Sequence, residues 1–425
     1  STGEEMAVQI HELLTFVVQQ GASDLHLSAG EVPCVRIDGG VRRLDLERLT
    51  AEDAKRMAYS IMTEKQKVFF ENNLEIDFAV GLKGLARFRV NVFTQSRGVG
   101  IVLRHIPATV WTLEKVLAPA IFRKIADMRQ GLILVTGPTG SGKSTTLYSL
   151  LAERNDPGIN ISTVEDPIEY TLPGITQCQV NREKGFDFAT ALRAFMRQDP
   201  DVLLVGETRD LETAKTAIEA ALTGHLVLST LHANDAPSTI ARLDEMGVEP
   251  FMVSAALIGI VSQRLMRRVC TSCREAYRPD ERELGRFGLM TGAESAMTFF
   301  KAHHHDGTGT PCPKCKGSGY KGRVGVYEVL RMNEDLAAAV SSGASTDVIR
   351  QLALESGMVT LLGYSLDLVR QGHTTLEEVG RMILTDSGLE SERRAKALST
   401  MTCKGCGAGL QETWLECPYC LTQRN

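Results

Sequence analysis

The sequence predicts an α/β protein built from more than one domain, and three observations support this prediction. From about Leu113 onward, strand-like and helix-like runs alternate along the chain. The strand-like runs are mostly apolar rather than alternating, which is typical of a parallel sheet covered by helices on both faces. The chain has 425 residues, too many for one ordinary core, so two to four domains are expected.

The region of strand–helix alternation contains four strand candidates and two clear helix candidates. We expect strands at 132–136, 159–165, 202–206 and 226–230, and helices at 188–197 and 211–222. A polar, glycine-rich stretch follows Cys273, and residues 333–384 have a helical pattern that turns near Gly343, Gly357 and Gly372. The charged segment 386–396 is predicted to be a tether.

The first hundred residues predict a separate, smaller α/β domain. Its pattern gives helices at 8–18 and 51–70, a hairpin at 34–44, and strands at 76–80, 86–94 and 98–106. In the middle strand, Arg87, Arg89 and Asn91 share one face, while apolar residues share the other. Pro107 ends this region, so we place the domain at residues 1–108.

Composition limits the possible classes of function. Hydrophobic residues make up 43% and charged residues 23% of the chain, which are the proportions of a soluble globular protein. The net charge of −5 argues against general binding to nucleic-acid phosphates. The longest apolar candidate, residues 251–261, is too short to span a membrane and is predicted to be a buried helix. No secretory signal is visible, and the start at Ser1 leaves room for an upstream segment.

A phosphate-binding pattern lies between the strand candidate at 132–136 and the next helix. The segment Gly137-Pro-Thr-Gly-Ser-Gly-Lys-Ser144 fills every place of G-x-x-x-x-G-K-[ST]. The glycines let backbone N–H groups surround a phosphate, Lys143 adds a positive charge, and the Ser144 hydroxyl can hold Mg²⁺. A chance glycine-rich turn is the alternative, but the flanking strand and helix argue against it. The predicted nucleotide-binding residues are Gly137, Pro138, Thr139, Gly140, Ser141, Gly142, Lys143, Ser144 and Thr145.

Acidic residues follow two other strand candidates. Glu207 lies just beyond the strand at 202–206, at the edge of a parallel sheet where ligands bind. A carboxylate there can orient or deprotonate an attacking water, and a helix-capping acid is the alternative. Glu165, Asp166 and Glu169 crowd the second strand end, which favours a cation or an ordered water network. The alternative for these three is a solvated acidic turn.

Two histidines and two arginines complete the candidate site. His225 precedes and His232 follows the strand at 226–230, and His232 could donate to a terminal phosphate oxygen. A histidine that only packs is the alternative. Arg89 and Arg104 lie on neighbouring predicted strands of the first domain, and an arginine from another domain can neutralise charge in phosphoryl transfer. Surface arginines with packed stems are the alternative, and pattern alone favours it.

Eight of the ten cysteines form four Cys-x-x-Cys pairs. Without an export signal, such pairs favour a metal over disulfides or reactive thiols. The first two pairs are 38 residues apart (274 to 311), and four thiolates there predict a structural Zn²⁺ site. The last two pairs are ten residues apart (407 to 416) and predict a compact zinc ribbon. The two predicted ligand sets are Cys270, Cys273, Cys312 and Cys315, and Cys403, Cys406, Cys417 and Cys420.

Together these segments resemble the secretion and type IV pilus ATPase superfamily over roughly residues 7–388. The segment Gly21-Ala-Ser-Asp-Leu-His-Leu27 resembles its opening signature. Residues 137–144, 165–169, 201–207 and 224–235 resemble its Walker A segment, aspartate box, Walker B segment and histidine box. The resemblance implies that Glu207 is the catalytic carboxylate and that Glu165 and Asp166 help to hold metal and water. It also implies that His225 and His232 are the histidine-box pair and that Arg89 and Arg104 reach the phosphates.

The resemblance also implies an architecture. It consists of a PAS-like amino-terminal α/β domain at 1–108 and a RecA-like P-loop NTPase domain at 109–388. The second domain would contain a zinc-binding insertion at 266–330 and a helical tail at 331–388. A tether and a carboxy-terminal zinc ribbon at 389–425 lie outside the usual family pattern.

Within the family, the sequence is most similar to the pilus assembly and type II secretion branch. Residues 236–244, 263–268 and 322–328 and the first cysteine set resemble that branch, and the retraction signature Ala-Ile-Arg-Asn-Leu-Ile is absent. This branch implies a cytoplasmic homohexamer that uses ATP, Mg²⁺ and Zn²⁺ and lies at the inner membrane without inserting into it. Its expected partners are an inner-membrane platform protein and a cytoplasmic adaptor, with no nucleic acid. A pilus retraction ATPase is the alternative within the family, and a RecA-like nucleic-acid translocase is the alternative from another class.

Overall fold

The computed structural model describes residues 9–82, 85–106, 109–289, 297–384, 388–393, 401–405, 409–411, 414–417 and 420–424. The chain divides into two compact units, Ser1–Thr109 and Val110–Asn425, and each has its own hydrophobic core.

In its described residues, the first unit contains an antiparallel sheet of six strands and three helices, and the strand order is β3-β2-β1-β6-β5-β4. Its elements are α1 (Ile10–Gln20), β1 (Asp24–Ser28), β2 (Cys34–Ile37), β3 (Gly40–Arg43), α2 (Ala51–Ser60), α3 (Glu64–Asn73), β4 (Glu75–Leu82), β5 (Ala86–Gln95) and β6 (Gly98–Ile106). The alternation read from the sequence of β5 is confirmed, since Phe88, Val90 and Val92 are buried in the core.

The helix predicted over 51–70 is two helices. The first ends at Ser60, and Thr63 caps the start of the second. The Thr63 side chain accepts a hydrogen bond from the N–H of Gln66, while the Gln66 side chain accepts one from the N–H of Thr63. This reciprocal pair is a capping box, which starts a new helix and satisfies two N–H groups that would otherwise lack partners.

The second unit contains a sheet of seven strands in the order β15-β12-β7-β11-β10-β8-β9. Neighbouring strands are parallel except β15, which is antiparallel to β12. The elements up to the last strand of this sheet are α4 (Ala120–Ala126), β7 (Gly131–Thr136), α5 (Lys143–Arg154), β8 (Ile161–Glu165), β9 (Thr176–Gln179), α6 (Phe188–Phe195), β10 (Val202–Val205), α7 (Leu211–Leu222), β11 (Leu226–Leu231), α8 (Ala236–Glu245), α9 (Pro250–Ala256), β12 (Leu257–Val269), β13 (Glu275–Tyr277), α10 (Glu281–Arg286), β14 (Phe299–Lys301) and β15 (Tyr320–Arg331).

Both faces of this sheet are covered, which explains why its strands are apolar throughout. In β7, Leu132 and Leu134 pack in one core cluster, and Ile133 and Val135 pack in another. Successive side chains of a strand point to opposite faces, so the two clusters lie on the two sides of the sheet.

The sequence prediction of a buried helix over 251–261 is wrong in its second half. Helix α9 ends at Ala256, and Leu257 begins the long strand β12 between β7 and β15. A short apolar run without periodicity does not separate a buried helix from a buried strand. At Gly259 a Cβ would lie 2.9 Å from side-chain carbons of Ile125, so the glycine lets α4 pack closely on this strand.

Strand β12 extends past the carboxyl end of β7. Ser262 is paired with Thr136, which is the last residue of β7. Gln263 and Arg264 therefore lie beside the loop that leaves β7. The sequence analysis also did not predict β15, the antiparallel partner of β12.

The helical tail consists of α11 (Glu334–Ser341), α12 (Thr346–Glu355), α13 (Leu361–Arg370) and α14 (Leu376–Met382). Each helix starts after a side chain that caps it, namely Asn333, Ser345, Thr360 and Thr375. Glu378 of α14 is fully buried and accepts hydrogen bonds from Arg267 and Arg381, both at 2.7 Å, which fastens the tail to β12. In the described parts of the chain, no helix has both the length and the apolar character that membrane crossing requires.

The last part of the chain packs on the rest of the second unit. Strands β16 (Met401–Thr402) and β17 (Gly409–Leu410) form an antiparallel pair. Cys403 and Cys417 are buried in the same core cluster as α4, and Lys124 of α4 forms an ion pair with Glu416 at 3.3 Å.

Candidate nucleotide-binding site

The loop between β7 and α5 has the backbone of a phosphate cradle. Gly137, Gly140 and Gly142 have φ angles of 145°, 79° and 88°, a region that favours glycine. A Cβ on Gly137 would lie 2.4 Å from the backbone oxygen of Gln263, and a Cβ on Gly142 would lie 2.8 Å from the side-chain amide nitrogen of Gln263. Side chains at these two positions would therefore both strain the backbone and collide with β12.

Lys143 and Ser141 show that this loop fits an anion. The Lys143 ammonium donates to the backbone oxygens of Gly137 at 2.8 Å and Pro138 at 3.0 Å, so it folds back over the loop. Burial lowers the pKa of Lys143, the charge of Glu207 opposes this shift, and Arg264 adds to it. The Ser141 hydroxyl is buried and has no hydrogen-bond partner within the described residues. A phosphate oxygen would pair with this hydroxyl and neutralise the lysine.

Glu207 and His232 meet at the first glycine of the loop. Glu207 follows β10, and one carboxylate oxygen lies 3.2 Å from His232 Nε2, while the other lies 2.5 Å from Arg209. His232 Nδ1 lies 3.2 Å from the backbone oxygen of Gly137. Three segments that are far apart in sequence thus converge on one point, at the carboxyl ends of β7, β10 and β11.

Glu165 lies in a closed network beside α5. It is buried, and its carboxylate accepts hydrogen bonds from the Tyr148 hydroxyl, from Thr163 at 2.7 Å and from Gln177 at 3.1 Å. Burial and then the Glu165 charge raise the pKa of Tyr148. This carboxylate anchors the helix that Lys143 begins, and its predicted part in holding metal and water stays a prediction.

Asp166 and His225, two other predicted residues of this unit, have contacts of their own. Asp166 forms an ion pair with Arg182 at 2.8 Å. His225 precedes β11, whereas His232 follows it, and the His225 ring contacts the backbone oxygen of Ala220 at 2.8 Å. The two histidines therefore lie at opposite ends of β11, and the role of His225 in a histidine-box pair stays a prediction.

Arg89 and Arg104 of the first unit are neighbours across β5 and β6. Arg104 forms an ion pair with the buried carboxylate of Asp24 at 2.9 Å, and Arg89 lies 3.7 Å from Asp77. Both arginine side chains remain substantially exposed, so their contact with a nucleotide stays a prediction.

Gln263 and Arg264 are parts of this site that the sequence pattern did not predict. The Gln263 amide is buried and connects the loop to α5, because it donates to the Ser141 backbone at 2.9 Å and accepts from Thr146 at 2.8 Å. Polar residues directly after an apolar strand would have indicated this part of the site. The segment before them, 251–261, was predicted to be a helix, so this pattern did not stand out.

The four cysteines of the first predicted set come together in the structure. The sulfur atoms of Cys270, Cys273, Cys312 and Cys315 lie within 4.8 Å of one another. Zn–S bonds of about 2.3 Å in a tetrahedron place sulfurs about 3.8 Å apart. The observed separations of 3.9 Å for Cys270–Cys312 and 3.6 Å for Cys273–Cys315 fit this geometry. The described residues between the two pairs include β13, α10 and β14, so the 38-residue spacer has secondary structure of its own.

The second cysteine set is partly described. The sulfurs of Cys403, Cys417 and Cys420 lie within 4.8 Å of one another, and Cys403 and Cys420 are 3.5 Å apart. Cys406 lies outside the described residues. Three converging thiols are compatible with the predicted ribbon.

A buried carboxylate supports the segment that carries His232. Glu328 of β15 accepts from the N–H of Ala236 at 2.8 Å and from the N–H of Leu361 at 3.2 Å, so it joins the starts of α8 and α13. Asp235, just before α8, forms an ion pair with Arg350 of the tail at 2.6 Å. The histidine segment is therefore attached to the helical tail by two polar contacts.

Glu328 should make the stability of the second unit depend on pH. Burial, and then the charge of Asp235, raise the pKa of Glu328 to about 7 from its usual 4.5, against the N–H groups and Arg350. Folding raises this pKa, so the folded state favours the protonated carboxyl of Glu328. The resulting contribution to stability is complete below about pH 4.5 and is lost as pH rises to about 7. Between pH 5 and 8 the free energy of unfolding of the parent should fall by about 2.5 kcal/mol relative to that of Glu328→Gln, measured by urea unfolding. Glu245→Gln, an exposed change on α8, is the control, and its free energy of unfolding should depend on pH as that of the parent does. The same pH dependence for Glu328→Gln and the parent would refute the prediction.

The fold and this site define a class of protein. A phosphate-binding loop between a parallel strand and a helix, faced by a carboxylate from a neighbouring strand, is the arrangement of a P-loop nucleoside triphosphatase.

Residues 3–381 match the family model described as type II/IV secretion system protein, and the chain belongs to this family. The type IV pilus assembly ATPase PilB of Thermus thermophilus is 50% identical over 265 residues, which cover 62% of this chain and 29% of that protein. The type II secretion system ATPase E of Vibrio cholerae is 39% identical over 387 residues, which cover 88% of this chain and 74% of that protein. The matched part is thus less than a third of the Thermus protein and about three quarters of the Vibrio protein.

A solved structure supports the same assignment. The pilus retraction motor PilT with bound ADP matches with a TM-score of 0.67 and 36% identity, covering 88% of this chain and 96% of that one. The resemblance to the pilus and secretion ATPases is confirmed, as is the RecA-like architecture of the second unit. Family and site together make this chain a P-loop ATPase.

Proposed function

We propose that this chain is a motor ATPase that hydrolyses ATP to drive type IV pilus assembly or the assembly of a type II secretion pseudopilus. The observation that carries the proposal is the convergence at Gly137, which Lys143 and His232 both contact while His232 also contacts Glu207. The names of the pilus assembly and type II secretion relatives support the choice of process.

The residues of the site have separate tasks in this mechanism. The glycine backbone and the Ser141 hydroxyl bind the phosphates, and Lys143 leaves the carbonyls that it now contacts to bind them as well. Ser144 would hold Mg²⁺, which neutralises phosphate charge when bound. Glu207 orients the attacking water and accepts its proton. His232, between Glu207 and Gly137, couples the carboxylate to the state of the loop.

The wider proposal concerns the assembly. The chain acts as a homohexamer at the cytoplasmic face of the inner membrane, with a platform protein and a cytoplasmic adaptor as partners. Arg89 and Arg104 complete the site from the first unit, which is a PAS-like domain at 1–108. Zinc at both cysteine sets stabilises the insertion at 266–330 and the ribbon at 389–425, and the tail at 331–388 completes the ATPase domain at 109–388.

Pilus retraction is the second candidate, because the PilT structure matches over nearly its whole length. The first cysteine set favours assembly or secretion, since the sequence resemblance associates such a cluster with that branch. The two directions differ in a cell assay. A strain in which this chain replaces an assembly motor should make pili, whereas a retraction motor would leave it without them.

Nucleotide binding tests the proposed site directly. Lys143→Ala should weaken the binding of a non-hydrolysable ATP analogue with Mg²⁺ by about 100-fold, because it removes charge-assisted hydrogen bonds to the phosphates. Titration calorimetry with the full chain measures this change. Lys115→Ala, an exposed lysine of the same unit, is the matched control and should bind like the parent. Equal affinity in Lys143→Ala and the parent would place the nucleotide elsewhere.

A further inference from the structure

Arg264 points to the nucleotide loop from a strand that the predicted chemistry does not use. Its guanidinium donates to the backbone oxygen of Gln263 at 2.9 Å and to that of Asn234 at 2.6 Å. One guanidinium nitrogen lies 3.2 Å from the place that a Cβ of Gly137 would take. Arg264 therefore contacts the histidine segment and borders the first glycine of the loop at the same time.

The position of Arg264 is fixed by its neighbours. Strand β12 places Ser262 beside the last residue of β7, so Arg264 lies two residues past the end of that strand. Gln263 is bonded to Ser141 and Thr146, which holds the backbone of β12 against the loop and α5. An arginine on so rigid a support loses little entropy when its planar group binds a ligand.

Two cations lie close together beside Gly137. Lys143 and Arg264 are both partly buried, and burial lowers the pKa of each. Arg264 also lowers the pKa of Lys143, so the two cations repel each other across the loop. Glu207 attracts Lys143, and Glu328 and Asp235 attract Arg264. An anion at the loop would remove the repulsion between the two cations.

We propose that Arg264 is a second phosphate-binding cation, supplied by the same chain, which contacts the terminal phosphate of ATP and transmits its presence to the segment at Asn234. The proposal rests on the proposed function of the loop as an ATP site. The lysine of such a loop reaches the β- and γ-phosphates. His232 contacts both Glu207 and Gly137, and Arg264 also lies beside Gly137. Arg264 therefore lies at the same end of the site as Glu207, which activates the attacking water.

This placement makes Arg264 a residue that distinguishes ATP from ADP. When the terminal phosphate is present, the guanidinium binds it with the N–H groups that its two carbonyl contacts leave over. When that phosphate is gone, the arginine keeps only the carbonyls of Gln263 and Asn234. An arginine with a purely structural role would instead support the loop equally for both nucleotides.

Binding constants for two nucleotides separate these roles. The full chain and its Arg264→Met and Arg264→Lys variants are titrated with Mg²⁺ and either ADP or the γ-thiophosphate analogue of ATP. Arg264→Met should weaken the binding of the analogue by about 10- to 100-fold and the binding of ADP by less than about threefold. Arg264→Lys keeps the charge but loses the planar fork, so it should weaken the analogue by an intermediate factor.

The controls make the outcome decisive. Arg268→Met removes an exposed arginine from the same strand and should leave both constants unchanged. Thermal unfolding without nucleotide checks that each variant is folded. If Arg264→Met is not folded, the comparison of Arg264→Lys with the parent decides the outcome. If Arg264→Met weakens the binding of both nucleotides equally, so that the ratio of the two affinities stays that of the parent, the proposed role of Arg264 is refuted but the proposed function is not. A parent chain that binds neither nucleotide would instead refute the proposed function.

Discussion

Replacing Glu207 with glutamine should lower the rate of ATP hydrolysis by about 10³-fold or more while nucleotide affinity stays within about threefold of the parent. Glutamine keeps the size of the side chain but does not accept a proton from water. Glu207 contacts His232 and Arg209 and does not form the cradle itself, so binding should survive. Steady-state phosphate release and analogue titration measure the two quantities.

Glu219→Gln provides the matched control for Glu207. It makes the same chemical change at an exposed position of α7 and should hydrolyse ATP like the parent. If Glu207→Gln releases phosphate at the parent rate, another group activates the water. Loss of binding together with turnover would show that Glu207 supports the loop rather than the chemistry.

Loss of the first cysteine set should have the largest effect on stability. In Cys273→Ser, one of two zinc ions should be lost, and the thermal midpoint of the second unit should fall by about 10 °C. The reason is structural. Cys270 follows β12 and donates its N–H to Gly319, next to β15, so a metal here joins the ends of the two longest strands. Zinc content and thermal unfolding of the same preparation provide the measurements.

Cys34→Ser provides a control outside both cysteine sets. Cys34 lies in β2 of the first unit, where its thiol contacts the backbone oxygen of Val32 at 3.3 Å. This variant should keep both zinc ions and the parent midpoint. Cys273→Ser with unchanged zinc content and unchanged midpoint would contradict a structural metal at this place.

Local chemistry explains which features were predictable from the sequence. The loop at 137–144 needs glycine, lysine and serine at fixed places, so its pattern alone identifies it. In β5, the alternation of Phe88, Val90 and Val92 with polar residues revealed the buried face. The position of Glu207 also followed from its place after a buried strand at the edge of a parallel sheet.

Features that depend on register and tertiary contact were not predictable. The run at 251–261 is apolar on every side, and only its pairing with β7 and β15 makes its second half a strand. The role of Arg264 depends on that register, because the residue reaches the loop only when β12 extends past β7. The enclosure of Glu165 by Tyr148 likewise requires α5 to pack on β8, which no local pattern encodes.

A single-turnover experiment tests the central claim most directly. The parent chain and Glu207→Gln are each mixed with less than one equivalent of ATP and Mg²⁺, and the bound nucleotide is identified by chromatography over time. The parent should convert its bound ATP to ADP, while Glu207→Gln should bind the same amount and retain it as ATP. Conversion to ADP at the same rate in both chains would contradict the central claim.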